Sequence, residues 1–156
     1  MPVASAGLLL YRQPGPRVLI AHMGGPFWAR KDEGAWSIPK GEYDPATESA
    51  ADAAAREFRE ELGVAAPDGD REELGTFTYS SGKKVTVFAG DAGAWAEPLE
   101  FVYGEFEMEW PPRSGRVQRF PEMDRAEWVD LERARVLLVK GQRPALDALD
   151  AFLARR

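Results

Sequence analysis

The chain contains no cysteine. A disulfide framework, a thiol nucleophile and a thiolate metal site are therefore excluded. Long apolar runs are missing as well. None approaches the length of a membrane span, and Met1 to Tyr11 has no basic region of the kind that opens a signal peptide. A cytoplasmic location with no membrane partner is expected. Nor is there an excess of basic residues. A net charge of −6 and a pI near 4.9 argue against binding to nucleic-acid backbones. A small phosphorylated substrate stays possible if metal ions or arginines offset its charge locally.

What is present describes an ordinary globular protein. At 156 residues, 44% apolar and 29% charged, the chain is long enough for one domain with a full core. There is no repeat, low-complexity tract or linker, so a single α+β domain over residues 1–156 is expected, as a monomer or homodimer. Two apolar runs, Val3 to Tyr11 and Arg17 to Met23, flank Pro14-Gly15-Pro16 and predict a pair of strands. Gly24 to Gly34 reads as a loop, Trp36 to Ile38 as a short strand, and Glu42 to Thr47 as loop. Glu72 to Ser80 and Lys83 to Gly90 predict two strands around a Ser81-Gly82 turn. Ala92 to Leu99 reads as a loop. Phe101 to Trp110 alternates apolar residues with Glu105, Glu107 and Glu109 and ends at Pro111-Pro112, ahead of a basic loop from Arg113 to Arg119. Ala126 to Val129 predicts a last short strand, and helices are expected at Leu131 to Val139 and Pro144 to Ala154.

The most informative segment is Arg56-Glu57-Phe58-Arg59-Glu60-Glu61-Leu62-Gly63-Val64. A helix is expected from Thr47, or from Pro45 with Asp44 as cap, to Leu62, with Gly63 as its left-handed stop. Ala51, Ala54, Ala55, Phe58 and Leu62 form an apolar arc for the core. Glu57, Glu60 and Glu61 fall within a neighbouring arc of roughly 100°. Like charges at that spacing repel. A hard divalent cation turns the repulsion into attraction, because clustered carboxylate oxygens are what Mg²⁺ or Mn²⁺ prefers.

With Gly41 and Glu48, these residues resemble the Nudix box of the Nudix hydrolases, Gly-x5-Glu-x7-Arg-Glu-(apolar)-x-Glu-Glu-x-Gly-(apolar). Every fixed type from Glu48 to Val64 matches at its spacing, and one extra residue lies between Gly41 and Glu48. The resemblance implies an α/β/α sandwich with a mixed β-sheet and a loop–helix–loop catalytic motif. It implies a Mg²⁺-dependent pyrophosphohydrolase (Mn²⁺ being the other candidate) that cleaves a phosphoanhydride in a nucleoside diphosphate linked to another moiety. Glu57, Glu60 and Glu61 would then hold the metal with the carbonyl of Lys40, and Glu48 and Arg56 would pair to fix loop to helix. Glu61 or a later loop glutamate would act as base. The family often adds an acidic ligand beyond the box. Glu105, Glu107, Glu109 and Glu122 are the candidates, with Glu107 or Glu109 favoured by the strand end at Pro111.

For substrate binding, Lys40, Trp36, Tyr79 and Arg116 are candidates. Arg113 and Arg119 share the basic segment with Arg116, and Trp28 and Trp110 are further aromatics able to stack on a base. His22 has no partner in sequence and reads as a satisfied strand-end residue. Trp36-Ser37-Ile38-Pro39-Lys40-Gly41 and Tyr79, fifteen residues beyond Val64, resemble features of dinucleoside polyphosphate hydrolases. Such a substrate is favoured. ADP-ribose or a nucleotide sugar, an oxidised nucleotide, and a non-catalytic nucleotide-binding module are the alternatives. A binding module would be expected to lose one of the metal-binding glutamates, and this chain keeps all three.

Overall fold

The computed structural model describes residues 4–156, so the expected strand start at Val3 lies outside the described residues. Strands β1 (Ala4–Arg12), β2 (Arg17–Met23), β3 (Trp36–Ser37), β4 (Lys40–Tyr43), β5 (Arg71–Thr78), β6 (Lys84–Asp91) and β9 (Met123–Asp130) form a seven-stranded mixed sheet. Strands β7 (Glu105–Glu109) and β8 (Val117–Pro121) make a separate two-stranded hairpin.

β1 explains the layering. Leu8 and Leu10 point to one face and Leu9 and Tyr11 to the other, and all four are buried. A strand apolar on both faces needs cover on both sides. Helix α1 (Ala50–Leu62) covers the Leu8 face with Ala53, Ala54, Phe58 and Leu62. Helices α2 (Leu131–Leu137) and α3 (Arg143–Ala154) cover the other with Ala134, Leu137, Ala145, Leu146 and Leu149. The result is the expected α/β/α sandwich around a mixed sheet.

Several expectations are corrected. The first helix starts at Ala50, because Ser49 Oγ accepts the Asp52 N–H at 3.1 Å, while Asp44 organises a turn over Ala46 and Thr47. Residues 40–43 are a strand. β4 is only four residues long and pairs with the start of β1, Lys40 opposite Gly7 and Tyr43 opposite Ala4. β7 is shorter than the aromatic–acid alternation implied, and β8 takes in Val117 to Arg119, part of the expected basic loop.

The sheet also creates the space for a site. β1 pairs with β2 only at Tyr11–Arg12, and with β4 along Ala4–Gly7. The close approach at Gly7 needs a residue without a Cβ, since one there would press on Lys40 Cβ and the Pro39 carbonyl, each 3.0 Å away. The Lys40–Glu42 backbone is thereby laid beside α1.

Candidate active site

Helix α1 does not keep separate faces for packing and chemistry. Its buried residues are Ala53, Ala54, Phe58, Glu61 and Leu62, while Ala51, expected in the core, is exposed. At about 100° per residue, Glu61 falls in the middle of that buried arc, Glu57 inside it and Glu60 just off its edge. The carboxylates thus reach towards the sheet, where Gly41 of β4 makes room. A Cβ at Gly41 would overlap both carboxylate oxygens of Glu57.

The consequence is electrostatic. Glu61 is 6% exposed, and burial pushes its carboxyl up to about 8 against the pull of the Lys40 ammonium and the Lys40 N–H, which donates to Oε2 at 3.3 Å. Glu57 is also raised, by burial first, although Arg56 donates to it at 2.9 Å. Glu48 is held below the usual range by its hydrogen bonds from Arg56. Arg56 Nε and Nη2 grip Glu48 at 2.8 and 2.9 Å, and Nη1 reaches Glu57 at 2.9 Å and Glu60 at 3.0 Å. The Glu48–Arg56 pair expected to tie loop to helix is in place.

Glu57, Glu60 and Glu61 line one cavity of about 540 Å³ together with Lys40, Gly41, Glu42, Gly104, Glu105 and Glu122. Among the described residues no three acidic or histidine side chains are yet gathered at metal-ligating distance. Arg56 Nη1 bridges the Glu57 and Glu60 carboxylates. The donors nonetheless suit a hard cation: several carboxylates of one chemistry, one of them desolvated and facing others, beside a glycine that leaves the approach open.

Of the acidic candidates beyond the box, the favoured Glu107 and Glu109 do not line this cavity. Glu107 is 58% exposed and its carboxylate receives Arg119 Nε at 3.2 Å. Glu109 accepts the N–H groups of Arg113 and Gly115 and so shapes the hairpin tip. Glu105 and Glu122 line the cavity instead, and so does Glu42, which was not anticipated. Glu105 and Glu107 lie on the same face of β7, and only the fold decides which is close to α1.

A second cavity, of about 390 Å³, shares Lys40, Glu61 and Glu122 with the first. Its other walls are Met23, Gly24, Trp28, Ser37, Phe106 and Met123. Ser37 Oγ donates to the Ile38 carbonyl at 2.8 Å and accepts from Gln142 Nε2 at 2.9 Å, so its one O–H donor is already used.

Three expected substrate contacts are corrected. Trp36 is 2% exposed in the core, its indole N–H donating to Asp32, and cannot stack on a base. Tyr79 packs on the α3 side of the sheet, where its hydroxyl accepts from Gln142 Nε2, and it lines neither cavity. Arg116 sits exposed at the hairpin turn, away from both. Lys40 lines both cavities. Trp110 meets Phe27 edge-on, with ring centroids 5.3 Å apart. His22 is buried between Asp124 at 2.7 Å and the Lys31 carbonyl at 2.6 Å, a satisfied residue as read from sequence.

The NUDIX domain family model matches residues 1–149. Among solved structures, an Ap4A hydrolase of C. elegans, crystallised as a binary complex, superposes with a TM-score of 0.65 at 23% identity, covering 99% of both chains. The MutT protein of Methanosarcina mazei Go1 gives 0.62 at 22% identity over 97% of this chain and 96% of its own. The Nudix domain of Shewanella oneidensis NrtR, solved with ADP ribose, gives 0.64 at 13% identity over 98% and 89%. An uncharacterised 17.7 kDa protein of Enterobacteria phage T4 is 46% identical over 54 residues, which are 34% of this chain and only 36% of that protein's length. With the box residues in place on α1 and the family match spanning nearly the whole sequence, the chain belongs to the NUDIX domain family.

Proposed function

We propose that this protein hydrolyses a phosphoanhydride bond in a nucleoside diphosphate linked to another moiety, in a Mg²⁺-dependent reaction. The observation that carries the reading is the carboxylate cavity of α1 sharing Lys40, Glu61 and Glu122 with an apolar, aromatic-walled one. One suits cation-bound phosphate, the other a flat heterocycle. The ligands named for the solved relatives, Ap4A for one and ADP ribose for another, share a nucleotide. Within that class a dinucleoside polyphosphate is favoured by the Trp36-to-Gly41 resemblance alone, because Tyr79 stands on the wrong side of the sheet to support it.

In this reading Glu57, Glu60 and Glu61 would hold the cation, with the Lys40 carbonyl and with Glu105. A divalent ion held there would supply charge neutralisation at the phosphates and lower the pKa of water. Lys40 balances phosphate charge from the side, and Glu122 accepts the proton of the attacking water. Trp28 and Phe106 flank the base.

Purified protein should release products from at least one substrate in a panel of dinucleoside polyphosphates, ADP-ribose, nucleotide sugars and nucleoside triphosphates, and lose that activity on chelation. Turnover of none would instead favour a nucleotide-binding module. Glu60→Gln, at a side chain 58% exposed, should keep the fold and lower turnover roughly tenfold to thirtyfold. Full activity in that variant would contradict the metal assignment. Trp28→Ala should raise KM about tenfold or more, since stacking contributes about 1–3 kcal/mol per base.

A further inference from the structure

We propose that Arg119 binds phosphates lying beyond the cleaved anhydride, and that through it this protein selects nucleotides with long phosphate chains. The inference rests on the hydrolase reading above and deepens it.

The β7–β8 hairpin contributes to the walls of both cavities. Alternation puts Phe106 on one face, in the wall of the aromatic cavity, and Glu105 on the other, in the wall of the carboxylate cavity. Pairing of Glu107 with Arg119 and of Glu105 with Pro121 puts Arg119 on the Glu105 face, one step towards the hairpin tip. Its guanidinium lies across both acids, Nε 3.2 Å from Glu107 and Nη1 3.7 Å from Glu105. A nucleotide with its base against Phe106 and its reacting phosphate among the α1 carboxylates would run on towards this guanidinium.

Charge supports the same placement. The carboxylate cavity has one cationic side chain in its lining, Lys40, among the described residues. Arg56 is committed to Glu48 through Nε and Nη2. Of the three arginines between 113 and 119, Arg119 alone forms an ion pair with a cavity-lining residue. Arg119 is 69% exposed, and its Nη2 donates no hydrogen bond among the described residues. Exposed ion pairs are weak, about 0–1 kcal/mol, so the guanidinium can exchange a carboxylate for a phosphate that matches its planar fork.

The guanidinium sits on the tip side of Glu105, between it and Glu107 and outside the lining of the carboxylate cavity. A substrate with only two phosphates, its anhydride at the cavity, leaves that position unfilled. A tetraphosphate fills it.

The test compares Arg119→Ala and Arg119→Lys with wild type on three Mg²⁺ substrates of the same base: a dinucleoside diphosphate, a nucleoside triphosphate and a dinucleoside tetraphosphate. The ratio of kcat/KM for tetraphosphate over diphosphate should fall about tenfold in the alanine variant, through KM, and by less in the lysine variant. Calorimetric Kd for a methylene-bridged, non-hydrolysable tetraphosphate should rise by the same factor. Melting temperatures should match, as the side chain is exposed. Turnover by wild type with an unmoved ratio and an unmoved Kd overturns the role of Arg119 alone. No turnover of any member by wild type overturns the hydrolase reading and this inference with it.

Discussion

Replacing Glu61 with glutamine should destroy activity and make the metal-free protein more stable. Both outcomes follow from one side chain. Glu61 lies in the middle of the buried face of α1, its carboxyl raised to about 8 by desolvation. In the unfolded chain the same group ionises near 4.5. Between those values the folded state binds more protons than the unfolded one. Metal-free stability therefore falls as pH rises through that window and levels off above about 8. Glutamine keeps the shape and the acceptor for the Lys40 N–H, and turns its amide towards the carboxylates of Glu57 and Glu122. At pH 9 the variant should be more stable by about 2 kcal/mol or more, read as a melting temperature about 4–8 °C higher. At pH 5 the difference should shrink, because wild type is then neutral at this position too. Saturating Mg²⁺ should reverse the order at pH 9 by stabilising wild type alone. Hydrolysis should fall by about a thousandfold, a ligand being lost at the centre of the set. Identical melting curves at both pH values would show that no desolvated charge resides there.

That side chain also marks how far the sequence could be read. The box, the helix end at Gly63 and the layered fold follow from local spacing, capping chemistry and alternation, all of which act over a few residues. The two helix faces merge for a physical reason. Spacing sets the acids in an arc beside the apolar one, whereas here β4 supplies a glycine at position 41 and Glu57 and Glu61 turn inward. β4 itself has no alternating pattern in its four residues and exists only because β1 offers a free edge between Ala4 and Gly7. The choice of Glu105 and Glu122 over Glu107 and Glu109 is set by where the hairpin lies, through Gly104, whose N–H donates to the Glu61 carbonyl and whose own carbonyl accepts from Glu122. Such long-range contacts leave no local trace. Nor do Trp36 and Tyr79 announce their burial, since an aromatic suits a core and a binding cleft equally well.

Gly41→Ala should separate function from folding most sharply. Gly41 does not have a positive φ, so alanine fits its backbone, and an ordinary strand glycine gains about 0.5–1 kcal/mol on that change. What opposes it is the Glu57 carboxylate, into which the new methyl would intrude. That carboxylate is the end of a flexible side chain and can rotate away, at the cost of its place in the cavity. The two effects nearly offset, and the melting temperature should move by less than about 3 °C. Catalysis does not share the compensation. Losing Glu57 from the set should lower turnover by about a hundredfold and weaken Mn²⁺ binding by at least about tenfold. The decisive comparison is a double-mutant cycle. With Glu57→Ala already in place there is nothing for the methyl to displace, so adding Gly41→Ala should leave Mn²⁺ affinity unchanged and raise stability slightly. If Gly41→Ala weakens Mn²⁺ equally in both backgrounds, the glycine acts through the β4 backbone and not by admitting the carboxylate.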